Sequence, residues 1–153
     1  MTAPNRPSPP PASTLLRPVL GLLAGLGIAV LIIVVGVVIS TFAAAVAQGT
    51  KDVRDFVAPS WTYPTHLLIV ALGAAAGGAV TARITAGRSV YSVFLLALIL
   101  MMSALNPVLH HTPPAAGQPT WYPLAVVVVN PLAALAGGLL TRRVDARRRT
   151  AAS

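Results

Sequence analysis

Cysteine and glutamate are both missing from this sequence, and charged residues of any kind make up only 9% of its 153 positions. A soluble domain carries about 25% charged residues, so a water-soluble globule is excluded at the outset. Without a thiol there is no disulfide staple, no thiol redox chemistry and no thiolate metal site. What charge exists is kept out of four long apolar runs. Val19–Ala47 gives 29 positions free of Asp, Lys and Arg, His66–Ala82 gives 17, Ser89–Leu109 gives 21 and Tyr122–Leu140 gives 19. The second run reaches 20 when Pro64, Thr65 and Arg83 count as interfacial ends. A helix needs roughly 20 residues, at about 1.5 Å each, to cross hydrocarbon. The chain therefore reads as an all-α, polytopic membrane protein whose first partner is the lipid bilayer.

The expected spans are about 19–47, 65–83, 89–109 and 122–141, arranged as two sequential helical hairpins. Residues 1–17, with Pro9-Pro10-Pro11, read as a disordered cytoplasmic tail, and the first span should begin after Arg17-Pro18. A proline-rich docking ligand is the alternative for that tail. The long connection Gln48–Thr65 holds a candidate interfacial helix, Thr50 to Val57, and residues 144–153 read as a basic cytoplasmic tail.

Net charge is +8, which raises the question of nucleic acid, but most of the basic residues flank spans. No folded basic surface with interleaved aromatics is left over, so nucleic acid is not an expected partner. With both termini in the cytoplasm, nine basic residues lie inside and two, Lys51 and Arg54, outside. The positive-inside rule selects that orientation, and Trp61, Tyr63, Trp121 and Tyr122 then anchor the outer ends. Ten of the 11 basic residues are Arg and alanine is abundant, a composition that suggests a bacterial plasma membrane. Ala45-Val46-Ala47 also has the form of a signal-peptidase site, although the run before it exceeds the usual apolar segment of about 7–15 residues.

A shift of 60 residues superposes Leu72–Gly78 on Leu132–Gly138 and continues through Thr81 with Thr141 and Arg83 with Arg143. Trp61 falls on Trp121 at the same offset. Such a repeat implies two halves pointing the same way about an axis along the membrane normal. In lipid, helices associate through close van der Waals approach rather than through burial of apolar surface. Gly21 and Gly25, Gly73 and Gly77, and Ala74 and Gly78 each place two small residues on one helical face, and Gly137 and Gly138 are the counterparts of Gly77 and Gly78. These glycines are the candidate helix-packing residues, either within one bundle or between copies.

Chemistry-bearing residues are sparse. No ionisable carboxylate, Lys or Arg lies inside a span, so coupled proton transport, which uses such groups, is disfavoured. Small multidrug transporters, for instance, depend on a glutamate in the first helix. Asn106-Pro107 and Asn130-Pro131 supply the candidate intramembrane polar residues, with kinking and packing as their first role and a polar pathway as the second. Both lack the Asn-Pro-Ala triplet of aquaporins. His66, His110 and His111 share the outer side with Asp52 and Asp55, but their spacing fits no compact ligand set, and solvated interfacial histidines are the better account. No catalytic residue, metal ligand or cofactor is expected.

Gly77-Gly78-x-x-Thr81-Ala82-Arg83-Ile84, Met101-Met102 with Asn106-Pro107, and Trp121-Tyr122-Pro123 together resemble a loose group of small, uncharacterised four-helix bacterial integral membrane proteins, over roughly Thr65–Arg143. The resemblance implies a four-helix fold and no activity. Three functions remain: a non-enzymatic membrane protein acting through helix packing with itself or a larger membrane partner, a small passive channel or transporter formed by an oligomer, and an outer-face metal-dependent or lipid-modifying enzyme.

Overall fold

The computed structural model describes residues 11–50, 56–85, 90–110 and 117–151, with side chains from residue 16 onward. Four helices follow in order: α1 (Pro11–Ala47), α2 (Thr62–Ile84), α3 (Val90–Leu109) and α4 (Tyr122–Thr150), and no strand occurs among the described residues. Each is long and apolar enough to cross a membrane. The 20 residues of α3 and 23 of α2 correspond to about 30–35 Å, the thickness of hydrocarbon.

The two terminal helices run further than expected. α1 begins at Pro11 and encloses Pro18, so residues 11–17 are helical rather than tail, while residues 1–10 lie outside the described residues. Proline is tolerated at a helix start, and Pro18 in the second turn removes a single backbone bond near a polar end. α4 continues through the basic segment to Thr150, nine residues past the expected end at 141. Arg and Ala are strong helix formers, no Gly or Pro interrupts the run, and Arg147, Arg148 and Arg149 complement the negative end of the helix dipole.

α1 ends in a paired C-terminal turn: Gly49 N–H donates to the Val46 carbonyl (3.0 Å) and Thr50 N–H to the Ala45 carbonyl (3.2 Å). This geometry requires the positive φ of Gly49, +65°. The expected interfacial helix falls mainly on residues 51–55, outside the described residues, and Thr50, Phe56 and Val57 are not helical. α2 and α4 are entered through matching turns, in which Thr62 N–H donates to the Pro59 carbonyl (3.0 Å) and Tyr122 N–H to the Pro119 carbonyl (3.1 Å). These residues are again 60 apart, so the repeat extends outward to the prolines before each tryptophan.

α2 and α4 pack against each other at the centre, α1 lies along α2, and α3 lies along α4. The buried cluster comprises Ala29, Ala74, Leu96, Ala97, Leu100 and Ala134, most of them alanine. Small side chains bring backbones together, which is the source of association in lipid. The large apolar residues point outward instead: Leu31, Val34, Val38, Ile39, Phe42 and Val46 leave the second half of α1 exposed on a broad face.

Candidate functional site

The most constrained part of the molecule is the seam of small residues on which the four helices meet. All seven candidate packing glycines are buried in it. Gly21 and Gly25 lie against the end of α2: a methyl group added at Gly21 would sit 2.9 Å from Thr85 Cγ2, and one at Gly25 would strike the Thr81 hydroxyl and lie 2.6 Å from the Gly77 carbonyl oxygen. Gly73 faces Ile33 of α1, and Gly77 faces Gly25 and Ala29. One residue further round α2, Gly78 meets the backbone of Ala134 on α4, where an added methyl would lie 2.8 Å from the carbonyl carbon. Gly137 meets the Ala75 backbone from the other side of the same contact, and Gly138 turns toward Val93 of α3. The Gly-Gly pair in each repeat thus serves two neighbours at once, because adjacent residues are about 100° apart on a 3.6-residue helix.

Hydrogen bonding reinforces one side of the seam. The buried Thr81 hydroxyl donates to the Gly21 carbonyl (3.0 Å), linking α2 to α1. Its repeat counterpart, Thr141, donates instead to the Gly137 carbonyl of its own helix (2.9 Å). This link was not among the expectations, and its only signal in the sequence is that both threonines follow a Gly-Gly pair by three residues.

The two asparagines are separated by burial. Asn130 is buried in α4, and its Oδ1 has no hydrogen-bond partner among the described residues. Asn106 is exposed in the last turn of α3, where its carbonyl accepts the His110 N–H (3.1 Å). Ser103 is also exposed and returns its hydroxyl to the Leu100 carbonyl, whereas Ser92 is buried near the other end of α3. The four thus differ in burial: Asn130 and Ser92 are buried, Asn106 and Ser103 exposed. His66 Nε2 is 3.4 Å from Thr41 Oγ1, His110 is exposed at the end of α3, and His111, Asp52 and Asp55 lie outside the described residues. Among the described residues no three His, Asp or Glu side chains cluster to hold a metal ion.

Buried Tyr63, at the start of α2, packs edge-on against Tyr122 of α4 with ring centroids 5.3 Å apart, and Trp121 stands 6.0 Å from Tyr122. Such an edge-to-face pair adds about 0.5–1.5 kcal/mol and closes the tryptophan end of the α2–α4 contact. At the opposite end, a cavity of about 160 Å³ opens beside α4 where α2 stops. A larger apolar slot of about 400 Å³ separates Pro18, Val19 and Leu22 of α1 from Tyr91 and Phe94 of α3.

No protein-family profile, no characterised protein and no solved structure matches the chain.

Proposed function

We propose that this is a non-enzymatic, multi-pass membrane protein, built as two helical hairpins with both termini in the cytoplasm, that acts by packing against itself or a larger membrane partner. The observation that supports this reading is the contrast between its two kinds of helix surface. The small-residue faces are consumed inside the chain, whereas α1 from Val30 to Val46 presents bulky aliphatic residues and Phe42 outward. That broad face is where lipid or a partner helix would lie.

Because the chain contains no cysteine, single cysteines placed at Ile39 and Phe42 report contacts without background. In native membranes they should crosslink to a second copy or to a partner that is retained on purification and named by mass spectrometry. A chain recovered only as an uncrosslinked monomer would remove the packing role. Reporter fusions at Ser153 and near Gly87 should be active in the cytoplasmic sense only. A non-cytoplasmic C-terminus, or an intact mass lacking about the first 47 residues, would overturn the topology.

A further inference from the structure

We infer that the cavity at the arginine end is a headgroup site for a zwitterionic phospholipid whose headgroup carries a phosphate and a primary amine but no carboxylate to face Asp145, that is, phosphatidylethanolamine. The inference needs only that the helices lie in a bilayer, not that the protein acts by packing.

The cavity exists because the two central helices are unequal. α2 ends at Ile84, while α4 continues to Thr150. Gly78 and Ala134 hold the two helices together one to two turns earlier, and the Gly78 carbonyl oxygen is 3.4 Å from a methyl position on Gly138. Arg83, at the end of α2, therefore reaches the level of the α4 segment that outruns it. Among the described residues, Arg83, Leu140, Thr141, Val144, Asp145 and Arg148 line the resulting space. Thr141, Asp145 and Arg148 are spaced i, i+4 and i+7, so they share one helical face.

The lining divides by hydrogen-bonding capacity. Arg83 and Arg148 bring planar donor forks suited to phosphate oxygens. Asp145 brings the opposite sign, which a purely anionic ligand would find repulsive. Thr141 adds to the acceptor side, because its hydroxyl proton already goes to the Gly137 carbonyl and what its oxygen has left to offer is lone pairs. A ligand that satisfies both halves needs an N–H-bearing cation close to a phosphate. Leu140 and Val144 complete the lining with aliphatic surface, which favours a glycerol backbone and acyl chain over a free soluble phosphate. Phosphatidylglycerol supplies no cation for Asp145, and the trimethylated amine of phosphatidylcholine has no N–H to donate to it.

The test is competition among lipids on the purified full chain. Protein is equilibrated with equal amounts of phosphatidylethanolamine, phosphatidylglycerol and phosphatidylcholine, and retained lipid is read by native mass spectrometry. Phosphatidylethanolamine should be preferred on the order of tenfold, the factor associated with one hydrogen bond to a charged group. Asp145→Asn should erase that preference over phosphatidylglycerol, Asp145→Glu should restore it, and Arg83→Gln should weaken retention of all three lipids. A wild-type chain that prefers phosphatidylglycerol, or shows no preference, overturns the inference without recourse to any variant. A preference that survives in folded Asp145→Asn also overturns it. Soluble phosphoethanolamine displacing the lipid at equal concentration would overturn the lipid source, whereas failure to displace it supports that source.

Discussion

Leu72–Thr81 on α2 and Leu132–Thr141 on α4 share six of ten residues, the Gly-Gly pair and the threonine among them, and they are held by different neighbours. On α2, Gly77 faces α1 and Gly78 faces α4, so both glycines meet backbone atoms. On α4, Gly137 meets the Ala75 backbone closely, whereas the nearest neighbour of Gly138 is the side chain of Val93, with the Gly78 carbonyl oxygen further off at 3.4 Å. The threonine that follows crosses to Gly21 in the first copy and folds back on its own helix in the second. A small-residue face is thus a permission for close approach, and its energetic weight depends on what comes close. Backbone cannot retreat without moving a helix, whereas a valine can change rotamer.

That difference sets an order of expected effects. The largest belongs to leucine at Gly78 or Gly137, on opposite sides of one backbone contact. Either substitution should destabilise the chain by about 3 kcal/mol or more and reduce the folded fraction in detergent-driven unfolding. If both variants unfold like the parent, α2 and α4 do not meet as described.

Next comes the contrast within the repeat. Gly78→Ala should lose about 1–3 kcal/mol, while Gly138→Ala, whose added methyl lies 2.6 Å from Val93 Cγ1, should lose less because Val93 can shift. Equal losses, measured by the same unfolding midpoint, would show that the two halves are more symmetric than their contacts imply.

The threonines give a smaller separation. Thr81→Val removes an interhelical hydrogen bond and should cost about 0.6 kcal/mol, with an upper range near 1.7. Thr141→Val removes only a bond within its helix and should stay within about 0.5 kcal/mol of the parent. A larger loss at Thr141 would place an unrecognised neighbour on that face.

The smallest effect is expected at Gly27, where an added methyl has no neighbour within 4 Å. Gly27→Ala should leave stability unchanged or raise it by up to about 1 kcal/mol through helix propensity. A marked loss of oligomer or partner with this variant would instead make Gly27 a contact outside the chain.

Much of the fold was legible because its determinants are local. A charge-free run near 20 residues, a tryptophan before α2 and α4, and arginines after them can be read without knowing any neighbour. Spacing likewise places Gly73 with Gly77 on one face without reference to any neighbour. The candidate polar residues were less so: Asn106 and Asn130 are each followed by proline, yet one is exposed and the other buried. Burial depends on which face a neighbour covers, and no residue near either asparagine encodes that. The cavity beside Arg83 was invisible as well, because it arises from α4 outrunning α2, and its acidic member, Asp145, reads in sequence as one aspartate in a basic tail.

By itself, then, the amino-acid sequence determined four membrane-length helices, the polarity of their ends and the faces on which backbones could approach. Transfer of charge into hydrocarbon is costly at each position separately, so those features needed no tertiary context. Packing settled the rest: Gly77 took α1, Gly78 and Gly137 joined α2 to α4, and Thr81 crossed to a neighbour while Thr141 did not. In lipid, similar small-residue faces have similar intrinsic affinity, and the choice among them falls to the simultaneous fit of all four helices.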